Sequence, residues 1–237
     1  MLGACEPKFH PTAGRYFNVE RLCAGILAGA GWTAVSIEVA LTINNAVSDK
    51  TSIAAAVIRC FSYFTIETNM LLAMILTATA LRPQAESFFL QPGVKLAGIV
   101  YIIIVGVVYA TLLRHLWNPQ GVRLFADRLL HIAMPVFYPL YWLAFAPKGE
   151  TSRVDPFRWL IYPVVYFVYI LARGAVFDLY PYPFLNVAKL GYLQVFLNAL
   201  GLLAAFLGLG LCVAGLDRAL GARKSRSQGE LGRAAEF

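Results

Sequence analysis

Two short stretches of this sequence carry the residue types that could do chemistry. The first is Arg59-Cys60-Phe61-Ser62-Tyr63-Phe64-Thr65-Ile66-Glu67-Thr68-Asn69. At 3.6 residues per turn, a helix here puts Ser62, Thr65 and Asn69 on one face with Thr68 beside them. Such residues also bridge transmembrane helices or bond their own backbone, and both readings stand at this point. The second is Asp127-Arg128-Leu129-Leu130-His131-Ile132-Ala133-Met134-Pro135. Asp127 precedes His131 by one turn, a spacing at which a carboxylate orients an imidazole, although a carboxylate in a first turn also answers the helix dipole. An alcohol becomes a nucleophile at neutral pH only with a base such as imidazole nearby.

Other costly groups accompany these. Glu38 and Arg59 fall at matching depth with opposite charge, which predicts a structural ion pair, with a substrate-carboxylate role for Arg59 as the alternative. Tyr162, Tyr166, Tyr169 and Arg173 form a stripe at helical spacing that either lines a cavity or packs and anchors its helix.

The elements that position these groups are apolar helices. The chain has 237 residues, 59% hydrophobic and only 14% charged, with a mean hydropathy of +0.65. A soluble surface needs about a quarter charged residues. In lipid every backbone polar group must be satisfied within a helix or a closed barrel, and the runs are too long for barrel strands. The expected fold is therefore all-α, a polytopic membrane protein with a six-transmembrane-helix bundle. Its helices run over 19–42, 53–81, 94–116, 124–146, 156–173 and 190–216, within one domain over 1–216. The tail over 217–237 is basic and Gly/Ser-rich, which predicts a disordered cytoplasmic segment.

Helix one carries Gly25, Gly29 and Gly31 for close packing. Glu6, Lys8 and Arg15 precede it, unlike a cleavable leader, so it is expected to remain as an anchor. Thirteen of the 20 basic residues fall on one side, which places both termini in the cytoplasm. Helices two and four then start on the opposite side. Thr65 lies about 18 Å in and His131 roughly 10 Å in, close enough for tilt to bring them together.

The net charge of +7 follows from that loop bias, and no aromatic-interleaved basic patch points to nucleic acid. Cys5, Cys23, Cys60 and Cys212 are widely spaced and make neither a disulfide framework nor a zinc site. Haem between His115 and His131 is disfavoured by their unequal depth, and His10 precedes the first helix. No cofactor and no metal is expected.

With these residues in view, the chain resembles the androgen-induced, or androgen-dependent, family of multi-pass membrane threonine hydrolases, which cleave fatty acid esters of hydroxy fatty acids. The resemblance rests on Tyr63-Phe64-Thr65-Ile66-Glu67-Thr68-Asn69, on His131 with Pro135, and on Tyr180-Pro181-Tyr182-Pro183-Phe184. It implies Thr65 as nucleophile, His131 as base and an acyl-enzyme. The gap from His131 to Pro135 is slightly shorter than in eukaryotic members, which marks a distant, bacterial relative in the inner membrane. Asn69 is the expected oxyanion donor and Asp127 the support for His131. Ser62, Glu38, Arg59, Tyr166, Tyr169 and Arg173 are expected around a fatty-acyl ester substrate, with membrane lipids the other partner. A non-catalytic lipid-binding or transport protein is the alternative that the same polar residues serve.

Overall fold

The computed structural model describes residues 11–116 and 118–234, with side chains described for 18–116, 118–223, 225 and 226. Cys5, Glu6, Lys8 and His10 lie outside the described residues, and the side chains of Arg15, Lys224 and Arg233 lie outside those described. Every regular element among the described residues is helical, as the composition requires. The helices are α1 (Pro11–Ser48), α2 (Ile53–Cys60), α3 (Phe64–Leu81), α4 (Pro92–Val108), α5 (Gly121–Arg128), α6 (Met134–Phe145), α7 (Asp155–Arg158), α8 (Ile161–Phe177) and α9 (Val187–Ala234). π-Helical turns extend α4 through Tyr109–Leu113 and join α5 to α6 through Leu129–Ala133.

Five of these stretches are long and apolar enough to cross a membrane: Asn18–Ser48, Phe64–Leu81, Pro92–Leu116, Asp155–Phe177 and Val187–Arg223. The fourth expected span, 124–146, falls on a stretch, 121–145, that is continuous helix. Arg128, His131, Pro135, Pro139 and its tyrosines keep it less apolar than the five. In α3 and α4, 56% of the span is buried, against 22% in α1 and α8. The bundle is thus built around α3 and α4, with the other helices turning apolar faces such as Leu22, Ile26, Val168 and Leu193 outward.

The single helix expected over 53–81 is two helices. Ser62 donates its hydroxyl to the Ile58 carbonyl at 2.6 Å, competing with the helical ladder, and its amide turns to Arg59 instead. The chain breaks over 61–63 and α3 starts afresh at Phe64. Ser62 therefore sits in the break and not on the α3 face of Thr65 and Asn69.

Helix α9 continues past residue 216, through Ala234. The Asp217 carboxylate is buried and accepts from the amides of Gly149 and Thr151 and from the Thr151 hydroxyl at 2.6 Å. That clamp holds α9 past residue 216 with loop 147–154 against it. Near its other end α9 turns at Gly191, whose φ of +75° suits glycine.

Close approach sets the packing. A Cβ on Gly31 would fall 3.2 Å from the Ala73 methyl, so α1 rests on α3. A Cβ on Gly106 would fall 2.9 Å from Pro135 Cβ, on a ring that cannot rotate away, so α4 meets the start of α6 there. Gly106→Ala is expected to force the two apart and destabilise by about 1–3 kcal/mol. Gly29→Ala, with nothing within 4 Å, should be neutral. Thermal unfolding of both variants in one detergent checks this.

Candidate functional site

The site begins at the Leu129–Ala133 turn. In a π register the carbonyl of Leu130 would pair with the amide of residue 135, but that residue is proline and has no N–H. The Asn69 side chain supplies the missing donor: its Nδ2 bonds the Leu130 carbonyl at 3.4 Å and the Thr65 carbonyl at 2.9 Å. One amide nitrogen thus joins the backbone of Thr65 to the residue before His131. Both its protons are spent on carbonyls, so Asn69 is a brace and not the free oxyanion donor expected from spacing. Its Oδ1 is buried without a partner among the described residues.

His131 is oriented from two directions. Its Nδ1 lies 3.1 Å from Asp127 Oδ1 and 3.1 Å from the Asp127 carbonyl. Acceptors on that side place the proton of a neutral imidazole on Nδ1 and leave Nε2 as the acceptor. The other Asp127 oxygen, Oδ2, takes a hydrogen bond of 2.6 Å from the Tyr109 hydroxyl, and the Tyr109 ring stacks on the imidazole at 4.0 Å and 13°. Asp127 is buried, as is Tyr109. Glu38, half-buried on α1, has Arg123, Asp127 and His131 as its charged neighbours. The expected Glu38–Arg59 ion pair is absent among the described residues. Arg59 ends a short helix and is exposed, whereas α5 brings Arg123 to Glu38.

Thr65 is buried at the second residue of α3. Here the Ile66 and Glu67 amides bond the Tyr63 carbonyl, and the break leaves those of Phe64 and Thr65 without a helical partner. Tyrosines close the break: the Tyr166 hydroxyl donates to the Ser62 carbonyl at 2.9 Å and lies against the Phe64 backbone. The Tyr182 hydroxyl engages both the side chain and the backbone of Thr65. Burial pushes the Tyr182 phenol up to about 12, so at neutral pH it keeps its proton to donate.

Phe64, Thr65, Tyr166 and Tyr182 open on a cavity of about 60 Å³, closed otherwise by apolar groups such as Ile104, Val108, Leu185 and Phe206. About two waters, or one ester group, fill that volume.

The remaining expected residues divide. Tyr169 is largely exposed but reaches the Ser62 hydroxyl at 3.1 Å. Tyr162 donates to Glu67 at 3.0 Å and stacks on Phe64. Arg173 is buried beside Tyr63 and makes no ion pair or hydrogen bond among the described residues. No hydrogen bond joins Thr65 to His131 among the described residues. The alcohol faces the cavity and Tyr182, and Asn69 stands between the two helices.

Spacing missed Tyr109, since nothing in its surroundings marks it. Tyr182 was flagged only through its aromatic run. Among the described residues, no group of three or more His, Cys, Asp or Glu side chains could hold a metal. No protein-family model, characterised protein or solved structure matches the chain.

Asn69→Ala is expected to orphan the Leu130 carbonyl at a cost of about 1–3 kcal/mol. Pro135→Ala restores an amide there, so the same change should cost less in that background, with a coupling of at least about 0.5 kcal/mol. Denaturation of the four proteins in detergent completes the cycle, and strict additivity would show that the bridge is not the operative contact.

Proposed function

We propose that this protein is an intramembrane hydrolase of lipid esters, in which Thr65 is the nucleophile, His131 the base, and an acyl-enzyme the intermediate. The observation that carries this reading is the Asn69 bridge, which makes neighbours of the backbone at Thr65 and at His131, while Asp127 leaves the imidazole Nε2 as an acceptor. The resemblance of the Thr65 and His131 segments to the androgen-induced family of membrane threonine hydrolases points the same way, toward fatty-acyl esters of hydroxy fatty acids.

In this reading the Thr65 side chain leaves Tyr182 and turns toward His131 when substrate enters. Nε2 takes the hydroxyl proton as Oγ1 attacks the ester carbonyl carbon. The tetrahedral oxyanion forms at the start of α3, where the Tyr182 hydroxyl, released as Thr65 turns away, is the available donor. Collapse breaks the ester C–O bond, and the leaving alkoxide takes the proton from the imidazolium. Water then attacks the acyl-enzyme with the same base, releasing the acid and regenerating Thr65. The cavity holds only the reacting ester, so the chains on either side run out between helices into lipid. Buried Arg173 beside Tyr63 would receive a substrate carboxylate, a role that exposed Arg59 would not fill.

The chain is taken to cross the membrane six times, the sixth pass being residues 121–145. At 1.5 Å per residue that stretch is about 37 Å long, ample for a bilayer core. Its polar groups turn to Tyr109, Asn69 and Glu38. Six passes put both termini on one side, and the basic loop bias makes that side the cytoplasm of a bacterial inner membrane.

A second reading, a lipid-binding or transport protein without catalysis, is favoured by one observation: the Thr65 hydroxyl is engaged by Tyr182 and not by His131. Covalent labelling separates the two. A fluorophosphonate probe is expected to modify Thr65 in the wild type. Thr65→Ala and His131→Ala should lower ester hydrolysis at least about 100-fold, while Thr65→Ser retains labelling. Unlabelled, folded protein with no esterase activity would favour transport. Arg173→Gln is expected to raise KM for esters bearing a free carboxylate and to spare their methyl esters, as read from paired kinetics.

A further inference from the structure

Tyr109 belongs to no motif, yet its geometry is the most constrained around His131. A tyrosine in a membrane helix commonly turns its hydroxyl toward an interface. This one turns to a neighbouring helix. It is 8% exposed, its hydroxyl crosses to Asp127 Oδ2 on the neighbouring helix at 2.6 Å, and its ring lies on the imidazole at 4.0 Å and 13°. Aromatic pairs ordinarily sit with centroids 4.5–7 Å apart, so 4.0 Å is a close, nearly parallel stack.

With Oδ1 of Asp127 on His131 Nδ1 and Oδ2 on the phenol, both carboxylate oxygens are held. A carboxylate held at both ends cannot turn away from the ring it orients. The imidazole is in turn held in its plane by the stack and about its axis by Nδ1. π-Turns begin at Tyr109 and include His131, and Gly106, one turn before Tyr109, lets Pro135 approach closely enough for the two turns to meet.

We propose that Tyr109 is a positioning residue for His131: its phenol anchors Asp127 and its ring fixes the imidazole plane, so that Nε2 is presented as a proton acceptor. This rests on the hydrolase reading, and it adds to that reading a group that touches neither substrate nor nucleophile.

The test uses the full chain in detergent, with a p-nitrophenyl acyl ester as the reporter substrate and ¹⁵N-labelled histidine for spectroscopy. Tyr109→Phe keeps the stack and loses the phenol. It is expected to lower kcat by about tenfold to hundredfold with KM within about twofold. Its His131 ¹⁵N signals, identified by their loss in His131→Gln, should move from the Nδ1–H form toward a mixture of tautomers. Tyr109→Leu, which also loses the stack, should lose more activity. A merely structural tyrosine would change unfolding temperature without moving the tautomer. If the wild type hydrolyses the ester through His131 while Tyr109→Phe leaves kcat and the ¹⁵N signals unchanged, the positioning role is overturned and the hydrolase reading survives. If the wild type shows no His131-dependent hydrolysis, both fall.

Discussion

Two carbonyl oxygens, those of Thr65 and Leu130, share one amide nitrogen on Asn69, and the arrangement of this bundle follows from why that nitrogen is needed. Pro135 offers no N–H to the turn that joins α5 to α6. In an apolar interior such a vacancy has to be met from within the protein, because an orphaned carbonyl is costly there. The helix widens into a π-turn, and a side chain from α3 completes it. A requirement of backbone bonding therefore fixes which residues of two helices are neighbours. The same contact holds the segment carrying His131 one helical turn from Thr65.

The break over 61–63 obeys the same rule at the other end of α3. Ser62 diverts the ladder, and the freed groups are met by phenols: Tyr166 on the Ser62 carbonyl, Tyr182 on Thr65. Satisfying a broken helix at membrane depth with hydroxyls leaves donors next to an apolar cavity, because the same phenols face both. Helix N-termini at such breaks carry partial positive charge, and the surrounding Phe64, Ile104, Val105 and Phe206 keep the dielectric low. Structural repair and a polarising environment thus come from the same few side chains.

How much of this the sequence made legible depends on whether the signal was local. The apolar helices and most of their boundaries were readable, because length and charge depletion are properties of a window. Asp127 and His131 were readable as a pair because four residues along a helix is one turn, and a π-turn opening between them still leaves them in contact. The break was not readable, since Phe61-Ser62-Tyr63 holds no glycine or proline and its cause is a single serine hydroxyl. The wrong partner for Glu38 has a similar origin: depth alone suggested Arg59, while helix azimuth, which uniform apolarity hides, brought Arg123 instead. Asn69 was placed on the correct face but given the wrong task, because spacing cannot say that a carbonyl on another helix lacks its amide. Tyr109 carried no signal, for its partners are all distant in the chain.

The His131 cluster is costly to bury and shows how the pieces depend on one another. A buried carboxylate is expensive unless its oxygens are occupied, and Asp127 has one oxygen on an imidazole and the other on a phenol. A proton arriving on His131 is then met at 3.1 Å by a carboxylate already fixed in place, in surroundings where two charges attract far more strongly than in water. In the proposed hydrolysis little reorganisation would remain for the moment of proton transfer, the condition under which a preorganised site lowers a barrier. Remove the phenol and the carboxylate must find another donor; remove the carboxylate and the imidazole has no preferred tautomer. For helix packing alone an apolar residue at position 127 would serve with less cost, so the presence of this polar cluster beside the Thr65 segment is the feature that a purely structural account of the bundle leaves without a reason.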